Sequence, residues 1–315
     1  MPSPQPRLHG QSSPGPTIRV PVMLETPGWN DYRLLDSGNG RKLERYGSYR
    51  IVRPEPQALW TPRRDEAFWN AADAVFTGGK DEDSEGGRWR FRKPLPDTWK
   101  MDYQGIGFLG RFTSFRHVGV FPEQETHWSW MLGLIESAPK PPSILNLFGY
   151  TGIASLIAAR AGASVVHVDA SKKSIAWARE NQAVSGLEKL PIRWIVDDAM
   201  KFVAREERRG TKYDGIILDP PKFGRGPKNE TWDLFTNLPD MLRICRRLLS
   251  DRPLFLMLTA YSIRASFWAM HELSAEVLAD LGGTLESGEL LLREEGAGRP
   301  LSTSMFSRWS NDVGR

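Results

Sequence analysis

Residues 144–152, Ile-Leu-Asn-Leu-Phe-Gly-Tyr-Thr-Gly, constrain the fold of this chain more than any other stretch. An apolar run stops at a turn that contains Gly149 and Gly152, and a helical pattern of small residues follows over residues 153–160. Glycine has no Cβ, so the backbone can turn sharply there and come close to a ligand. The pattern predicts a strand, a tight turn and a helix, with the turn at the carboxyl end of the strand, where open α/β sheets bind their ligands.

Strand and helix patterns alternate after this point, which predicts an α/β fold with a doubly wound, mostly parallel sheet. The strands are predicted at residues 144–148, 164–168, 192–196, 215–218 and 254–259. The helices are predicted at residues 153–161, 172–185, 200–208, 234–249 and 265–281. The last two strand-like stretches, residues 284–292 and 303–309, have no helical pattern between them. They complete seven predicted strands and form an antiparallel hairpin at the edge of the sheet.

The part of the chain before this sheet has a different composition. Residues 1–18 are rich in Pro, Gly, Gln and Ser, which predicts a flexible arm. Residues 19–121 alternate short strand patterns with turns, and predict a small β-rich N-terminal domain that binds substrate. Pro122 then suits the start of a helix that leads into the sheet, so the third predicted segment is residues 122–315.

The net charge of the chain is small, but the excess of positive residues is concentrated in the N-terminal part. The chain has 42 Lys and Arg against 38 Asp and Glu, and the whole excess lies in residues 1–120. Residues 88–93, Arg-Trp-Arg-Phe-Arg-Lys, alternate cations with aromatic side chains. They fit either a strand that binds nucleic acid, with Arg on phosphates and aromatics on bases, or a strand with aromatics packed inward and Arg outward. We favour inward packing, which leaves the cations available in both cases.

Several classes of protein are excluded by composition. The single cysteine, Cys245, allows no intramolecular disulfide and no multi-cysteine zinc site, and the five histidines lack the spacing of metal ligands. No apolar stretch approaches the length of a membrane span. The N-terminus has no apolar signal core. We therefore expect a cytoplasmic protein with no metal and no membrane partner.

Acidic residues follow three of the predicted strands. Asp169 ends the second, Asp197 and Asp198 follow the third, and Asp219 follows the fourth. Because the carboxyl ends of parallel strands meet at one edge of a sheet, these carboxylates are expected beside the glycine turn. The first can accept the hydroxyls of a ribose, and the next can accept an adenine amino group. Helix capping is the alternative for Asp197 and Asp198.

Asp219-Pro220-Pro221-Lys222-Phe223 is the most specific motif. Two prolines fix the backbone and remove two donors, which leaves acceptors free for a flat polar substrate. Phe223 can stack on that substrate. Lys222 suits a phosphate or base contact, or is a solvated lysine, and Arg225 and Lys228 extend a basic loop beside the site.

These motifs, Asn146 to Gly152, Asp169-Ala170-Ser171, Asp198-Ala199 and Asp219 to Phe223, resemble the motif series of class I S-adenosylmethionine (SAM)-dependent methyltransferases with a Rossmann-like sheet. Within these, the chain is similar to bacterial large-subunit ribosomal RNA methyltransferases with a β-rich N-terminal extension. The resemblance implies SAM as cofactor and RNA as partner. It also implies contacts to the methionine part of SAM from Phe148, Gly149, Tyr150, Thr151 and Gly152.

The same resemblance assigns the other predicted site residues. Asp169 would hold the ribose with Ala170 and Ser171 beside the adenine, Asp198 and Ala199 would contact the adenine amino edge, and Asp219 to Phe223 would face the methyl group and the target base. Phe121 and Gln124, at the start of the helix after Pro122, are expected in the same pocket, with packing between the two parts of the chain as their alternative.

The acceptor atom is constrained by the position of the cysteine. Relatives that methylate carbon-5 of cytosine carry a cysteine just after the fifth strand, where this chain has Thr259-Ala-Tyr261-Ser262. Cys245 falls on the apolar face of a predicted helix, and a buried thiol is inert. We therefore expect direct, in-line methyl transfer to a base nitrogen without a cysteine adduct, with an oxygen atom as the alternative acceptor. Tyr261 either lines the acceptor pocket or packs.

Two other functions fit parts of the pattern. A nicotinamide-dependent oxidoreductase also uses a glycine turn and an acidic second strand end, but this turn lacks the three-glycine phosphate cradle. A nucleic-acid-binding protein that has lost catalysis on a methyltransferase fold is the other, and intact acceptors at all three strand ends disfavour it.

Overall fold

The structure is a computed structural model that describes residues 21–78, 86–261, 265–296 and 298–311. The predicted flexible arm, residues 1–18, lies outside the described residues, and so does most of the polar loop before the strand at residue 87. None of the helices in the described ranges is long and apolar enough to cross a membrane.

The first part of the chain folds mainly into strands. In chain order these are Val22–Thr26 (β1), Tyr32–Gly38 (β2), Arg41–Tyr46 (β3), Tyr49–Pro54 (β4), Ala74–Gly78 (β5), Gly87–Phe91 (β6), Thr98–Tyr103 (β7) and Ile106–Arg111 (β8), with helix Glu66–Asn70 (α1) between β4 and β5. Strands β2 to β6 form a five-stranded sheet in that order, and β7 pairs with β8. The predicted β-rich region is therefore confirmed.

The second part alternates strands and helices as predicted. A 3₁₀ turn, Pro122–Gln124, leads into Glu125–Glu136 (α2). The remaining helices are Ile153–Arg160 (α3), Lys172–Val184 (α4), Ala199–Arg208 (α5), Leu234–Leu248 (α6) and Phe267–Val277 (α7). The strands are Ser143–Leu147 (β9), Ser164–Asp169 (β10), Ile192–Val196 (β11), Gly215–Leu218 (β12), Phe223–Arg225 (β13), Thr231–Asp233 (β14), Phe255–Tyr261 (β15), Thr284–Arg293 (β16) and Pro300–Ser310 (β17).

The large sheet has the order β1-β16-β17-β15-β12-β9-β10-β11. Strand β17 runs antiparallel to both of its neighbours, and the other pairs are parallel. The doubly wound, mostly parallel sheet with an antiparallel hairpin is thus confirmed. The carboxyl ends of β9, β10, β11 and β12 lie side by side at one edge, which is where the predicted site residues fall.

One strand departs from the predicted division of the chain at residue 121. Strand β1 belongs to the segment assigned to the N-terminal domain, but it pairs in parallel with β16. The sheet therefore has eight strands instead of seven, and the hairpin is not its edge. Gly288 allows this pairing, because a Cβ there would lie 1.8 Å from the Val22 carbonyl oxygen. An ion pair between Glu25 and Arg293 joins the same two strands.

Apolar side chains fill both faces of the sheet. Along β9, Ile144 packs with α2 and α3 on one face, while Leu145 packs with α5 and α6 on the other. Such strands are continuous apolar runs because both of their faces are covered by helices. The apolar cluster on the first face extends into the β-rich part through residues such as Phe108 and Tyr46, so the two parts share one core.

Candidate functional site

The glycine turn after β9 has an uncommon backbone. Phe148 and Tyr150 take positive φ angles of 59° and 51°, and Gly152 takes 82°. Residues other than glycine rarely adopt this left-handed region, and they do so mainly at sites where surrounding contacts enforce it. Gly149 lies between them, and a Cβ there would come 2.3 Å from the ring of His167. The turn therefore rests directly on a buried imidazole, which only a glycine permits.

A chain of buried polar side chains supports this turn from beneath. Asn146 Nδ2 donates to Ser155 Oγ at 2.9 Å, and Ser155 Oγ lies 2.9 Å from His167 Nδ1. The Ser155 hydroxyl can donate to Nδ1 or accept from it, so this hydrogen bond is made in either tautomer of His167. Burial lowers the pKa of His167 to about 3, so the ring is neutral. His167 was not predicted, since a lone histidine within a strand gives no sequence signal.

Asp169 lies beside the turn at the end of β10. Its Oδ2 accepts the Tyr150 N–H at 2.9 Å, and its Oδ1 accepts the Ser171 N–H at 2.8 Å. Burial raises the pKa of this carboxyl, and the two backbone donors oppose that rise. Each carboxylate oxygen has two lone pairs, so both oxygens can still accept a ligand hydroxyl. The Asp169 carboxylate is thus held by two N–H groups at the position predicted for ribose binding.

Asp197 and Asp198, the acidic pair after β11, both bind other groups of the protein. Asp198 Oδ1 accepts the Lys201 N–H at 2.9 Å and caps α5, which is the alternative considered from sequence. Asp197 pairs with Arg205 and accepts the Asp198 N–H. Asp198 is nevertheless buried at the same sheet edge as Asp169, with its second oxygen free of the cap. Its role toward adenine stays a prediction, as does that of Ala199.

A cleft opens at this edge and encloses about 460 Å³, part of it open to solvent. Eight predicted site residues line it: Phe121, Gln124, Asn146, Phe148, Gly149, Tyr150, Thr151 and Asp219. Seven further lining residues were not predicted: Gly119, Val120, Trp128, Ile153, Ala154, Ile217 and Met257. The other predicted site residues are not among its lining residues: Gly152, Asp169, Ala170, Ser171, Asp198, Ala199, Pro220, Pro221, Lys222 and Phe223. The segment before α2 therefore forms one side of the cleft, and the glycine turn forms the other.

Buried hydrogen bonds fix the two sides of the cleft relative to each other. Thr151 Oγ1 donates to the Gly119 carbonyl at 2.6 Å. Asn181 of α4 donates to the Thr151 carbonyl at 2.9 Å, and its side-chain oxygen accepts the Leu109 N–H at 2.9 Å. Asn181 is fully buried, so leaving these groups unpaired would be costly. This single side chain connects the glycine turn to strand β8 of the β-rich part.

Asp219 is the half-buried acid of the cleft. Gln124 Nε2 donates to its Oδ2 at 3.2 Å, while Oδ1 is buried without a hydrogen-bond partner among the described residues. Burial raises the pKa of this carboxyl well above its usual range, and the nearby Glu123 raises it further. A buried acceptor with no partner inside a cleft indicates a ligand contact.

The rest of the Asp-Pro-Pro-Lys-Phe motif follows Asp219 and does not line the cleft. Pro220 is buried, and the Pro221 carbonyl accepts Trp232 Nε1 at 2.7 Å. Trp232 lies on β14 and also packs against the Phe148 ring, at 4.9 Å between centroids. Phe223 is 59% exposed, and Lys222 Nζ lies 5.2 Å from the centre of its ring. An exposed aromatic ring beside a cation fits the predicted base-stacking role of Phe223.

Cys245 cannot act as the nucleophile of this site. It is fully buried in α6 within the apolar cluster on one face of the sheet, and it does not line the cleft. Burial raises the pKa of its thiol, which keeps it protonated. The described ranges also contain no cluster of three or more His, Cys, Asp or Glu able to hold a metal ion.

A doubly wound sheet, a glycine turn and rim carboxylates together define an α/β protein that binds a nucleotide-like cofactor. The family model of the S-adenosylmethionine-dependent methyltransferases matches residues 74–257, more than half of the chain. The chain therefore belongs to the SAM-dependent methyltransferase family, and SAM is its cofactor. Membership in this family removes the nicotinamide alternative.

Individual relatives support the same assignment. The chain is similar to the crystal structure of the SAM-dependent methyltransferase from Agrobacterium tumefaciens, with a TM-score of 0.90 and 59% identity, covering 93% of this chain and 94% of that one. A solved structure from Streptococcus mutans, at TM-score 0.67 and 16% identity over 89% of this chain and 75% of that one, shows the shared fold alone.

Curated relatives named as ribosomal RNA methyltransferases match part of their own length. The ribosomal RNA large subunit methyltransferase K/L of Pseudoalteromonas atlantica is 33% identical over 243 residues, which is 71% of this chain and 34% of that protein. The ribosomal RNA large subunit methyltransferase I of Shewanella denitrificans is 32% identical, over 45% of this chain and 34% of that protein. The chain thus spans about a third of the length of these relatives.

Proposed function

We propose that this protein transfers the methyl group of SAM to a nitrogen of a base in RNA, with ribosomal RNA as the substrate. The Asp219 carboxylate carries the proposal, because Asp219 lines a cleft that also contains the glycine turn, and its Oδ1 has no hydrogen-bond partner among the described residues. The names of the curated relatives support the choice of ribosomal RNA. A cytoplasmic location is part of the same proposal, since the relatives named for ribosomal RNA are bacterial and bacteria assemble their ribosomes in the cytoplasm.

The residues of the cleft and of the neighbouring strand ends fit SAM. The backbone of residues 148–152 approaches the cleft without a Cβ at Gly149, which suits contact with the methionine part. Asp169 offers a carboxylate already oriented by two N–H groups for the ribose hydroxyls. When bound, SAM supplies a methyl group on a positively charged sulfur, and an ionised Asp219 carboxylate in the cleft favours that charge.

The protein itself contributes position and electrostatics. The transfer needs the acceptor nitrogen in line with the methyl–sulfur bond at near-contact distance. Pro220 and Pro221 fix the backbone next to Asp219, and the exposed Phe223 ring is placed to stack on a base. A base within a duplex would first be flipped out of its stack. No thiol is required, which agrees with the buried Cys245.

The β-rich part of the chain completes the proposal as an RNA-binding region. Arg88 and Arg90 of β6 are exposed, while Trp89 packs against Phe76 and Phe112. Phe91 is still 46% exposed, although its ring contacts Phe112. The aromatic side chains therefore pack mainly inward, and the arginines stay available to phosphates. Binding through them should weaken steeply as salt increases.

Mass spectrometry of ribosomal RNA nucleosides tests this function. In a strain that lacks the protein, we expect one methylated nucleoside to disappear. Expression of the unchanged protein should restore it, and expression of the Asp219→Ala variant should not. If every methylated nucleoside persists in the deletion strain, the ribosomal assignment is wrong.

Asp169 provides a separate test of cofactor binding. Asparagine has one oxygen, whereas the N–H groups of Tyr150 and Ser171 require two acceptors. In Asp169→Asn we therefore expect calorimetric SAM affinity to fall about 10- to 100-fold, the effect of losing hydrogen bonds to a charged group. Asp240→Asn, which changes a carboxylate that is 72% exposed on α6, is the matched control and should leave affinity unchanged. Equal affinity in both variants would contradict the ribose role of Asp169.

A further inference from the structure

The backbone of the glycine turn takes a conformation that the rest of the protein must enforce. Three of its residues, Phe148, Tyr150 and Gly152, have positive φ angles. This conformation is costly for phenylalanine and tyrosine, and it persists only where contacts from outside the turn over-determine it. The shape that the turn presents to SAM therefore depends on the groups that bind its backbone from outside.

Hydrogen bonds from β10 and from α4 reach this backbone. Strand β10 supplies two acceptors, the Val168 carbonyl and the Asp169 carboxylate, which bind N–H groups of the turn. Helix α4 supplies a donor, because Asn181 Nδ2 donates to the Thr151 carbonyl at 2.9 Å. The Asn181 side chain is bonded at its other end to a segment that is not part of the large sheet.

That segment is β8, in the β-rich part of the chain. Asn181 Oδ1 accepts the Leu109 N–H at 2.9 Å, and Asn181 is 0% exposed. A backbone N–H can only donate and a carbonyl can only accept, so these two partners fix the orientation of the amide. One buried amide therefore sets the position of the Thr151 carbonyl relative to Leu109.

The same side of α4 binds β8 at further points. Trp177 and Ser185 lie four residues before and after Asn181, which places all three on one side of the helix. Trp177 Nε1 donates to the Leu109 carbonyl at 3.1 Å, and Ser185 Oγ donates to the Gly107 carbonyl at 2.6 Å. Because β8 pairs with β7 along one edge, the side chains of α4 satisfy polar groups of its other edge.

Trp177 also contacts residues on both sides of the cleft. Its ring lies 5.9 Å from the Tyr150 ring between centroids, and a Cβ on Gly119 would lie 2.3 Å from it. Tyr150 and Gly119 line the cleft from opposite sides, and the Gly119 carbonyl accepts Thr151 Oγ1. Helix α4 therefore packs behind both walls of the cleft, where it fixes their separation.

We propose that Asn181 is a positioning residue for SAM, and that through it strand β8 of the β-rich part is a component of the cofactor site. The turn keeps the shape that SAM requires because Asn181 holds the Thr151 carbonyl to Leu109. Without this bond, SAM itself would have to order the turn on binding, and that cost lowers affinity. The role concerns the cofactor and holds for any methyl acceptor, so it can fail while the proposed action on RNA stands.

Calorimetry on Asn181→Leu tests the positioning role. Leucine is close to asparagine in size but has neither the donor nor the acceptor. We expect SAM affinity to fall about 10- to 100-fold, the effect of a displaced site with an unpaired buried group. The number of SAM molecules bound per protein should stay that of the unchanged protein, whereas damage to the fold lowers this number and leaves the affinity of the folded fraction as it was. Unchanged affinity would overturn the proposal.

Ser185→Ala is the matched control. It removes another hydrogen bond from α4 to β8, but Ser185 has no contact with the turn, and Trp177 and Asn181 still hold β8. Its SAM affinity should equal that of the unchanged protein. Equal losses in Ser185→Ala and Asn181→Leu would mean that docking of β8 in general matters, and the specific role of Asn181 would be wrong.

Asn181→Asp provides a rescue within one variant. While its carboxyl is protonated, one oxygen accepts the Leu109 N–H and the O–H donates to the Thr151 carbonyl, so both hydrogen bonds persist. Ionisation removes the donor. We expect SAM affinity, as a ratio to the unchanged protein at each pH, to be near that of the unchanged protein at about pH 5 and to fall toward about pH 10, a range that spans the raised pKa values of buried carboxyls. A ratio independent of pH would overturn the role of the donor.

Hydrogen exchange tests the participation of β8. Coupling between two sites is reciprocal, so SAM should in turn hold β8 more firmly. Any ligand of the folded state slows exchange throughout the protein, and strand β2 of the same part measures that general effect. We expect SAM to slow amide exchange in residues 106–111 more than in β2, and this extra slowing to disappear in Asn181→Leu. If SAM slows the two strands equally in the unchanged protein, β8 is not a component of the cofactor site and the proposal is overturned.

Discussion

In the Asp219→Asn variant, we expect methyl transfer to RNA to fall about 100- to 1,000-fold, the usual effect of removing one preorganised group from a reaction centre. Gln124 Nε2 requires an acceptor at the position of Oδ2, so it will attract the asparagine oxygen. The asparagine NH₂ then replaces the open Oδ1. The cleft therefore presents a donor where the unchanged protein presents an acceptor.

Single-turnover kinetics with labelled SAM measure this loss directly. Calorimetry should show that SAM affinity changes less than 10-fold, because the glycine turn and Asp169 are intact. The matched control is Asp251→Asn, an exposed aspartate in the turn before β15. A variant with the turnover of the unchanged protein would mean that Asp219 does not contact the acceptor.

The same residue predicts a pH dependence. Burial, with the charge of Glu123 next in size, raises the pKa of Asp219, while the Gln124 hydrogen bond opposes the rise. A raised pKa means that the carboxylate is lost on acidification at a higher pH than an ordinary carboxyl, for which the value is about 4. We expect kcat/KM to fall as pH is lowered through this pKa. In Asp219→Asn, the fall of kcat/KM at low pH should be missing. If that fall is retained, the titrating group is a residue other than Asp219.

Much of the large sheet could be predicted because its strands are buried on both faces. Runs such as β9 and β12 are almost wholly apolar and end at glycine or acidic residues, so their bounds were predicted within a residue or two. Strand β1 could not be placed, because its five residues carry no sign of a partner more than 260 residues later in the chain. The short hairpin β13–β14 was missed for a related reason, since three-residue strands have no detectable period.

The features of the site also divide into those that the sequence predicts and those that depend on how distant segments pack. Backbone-dependent features, such as the glycine turn and the prolines after Asp219, are visible locally because each residue type restricts its own dihedral angles. Contacts between side chains are not visible, because they depend on how distant segments pack. Gln124 reaches Asp219 across 95 positions and Tyr261 across 137. The contact of the buried His167 ring with the backbone at Gly149 also depends on tertiary packing, and no spacing rule predicts it.

Gly149→Ala is expected to have the largest effect on SAM binding. An added Cβ would lie 2.3 Å from the His167 ring, which is far inside contact distance. The ring cannot withdraw easily, because it is fully buried, bonded to Ser155 and packed on Trp194 at 4.7 Å between centroids. The turn must therefore move, and a displacement of about 1 Å at such a site can cost about 100-fold in function. Overpacking should also lower the free energy of unfolding by about 1–3 kcal/mol.

Gly133→Ala is the matched control for this substitution. Gly133 lies within α2, where an added Cβ meets no atom within 4 Å, so alanine should raise the free energy of unfolding by about 0.5–1 kcal/mol through its higher helix propensity. Denaturant unfolding and SAM calorimetry on both variants separate the two outcomes. Repacking can be tested with Gly149→Ala combined with His167→Ala, which removes the ring and should restore part of the SAM affinity. If Gly149→Ala alone binds SAM as well as Gly133→Ala does, the turn is not seated on His167 in the way described.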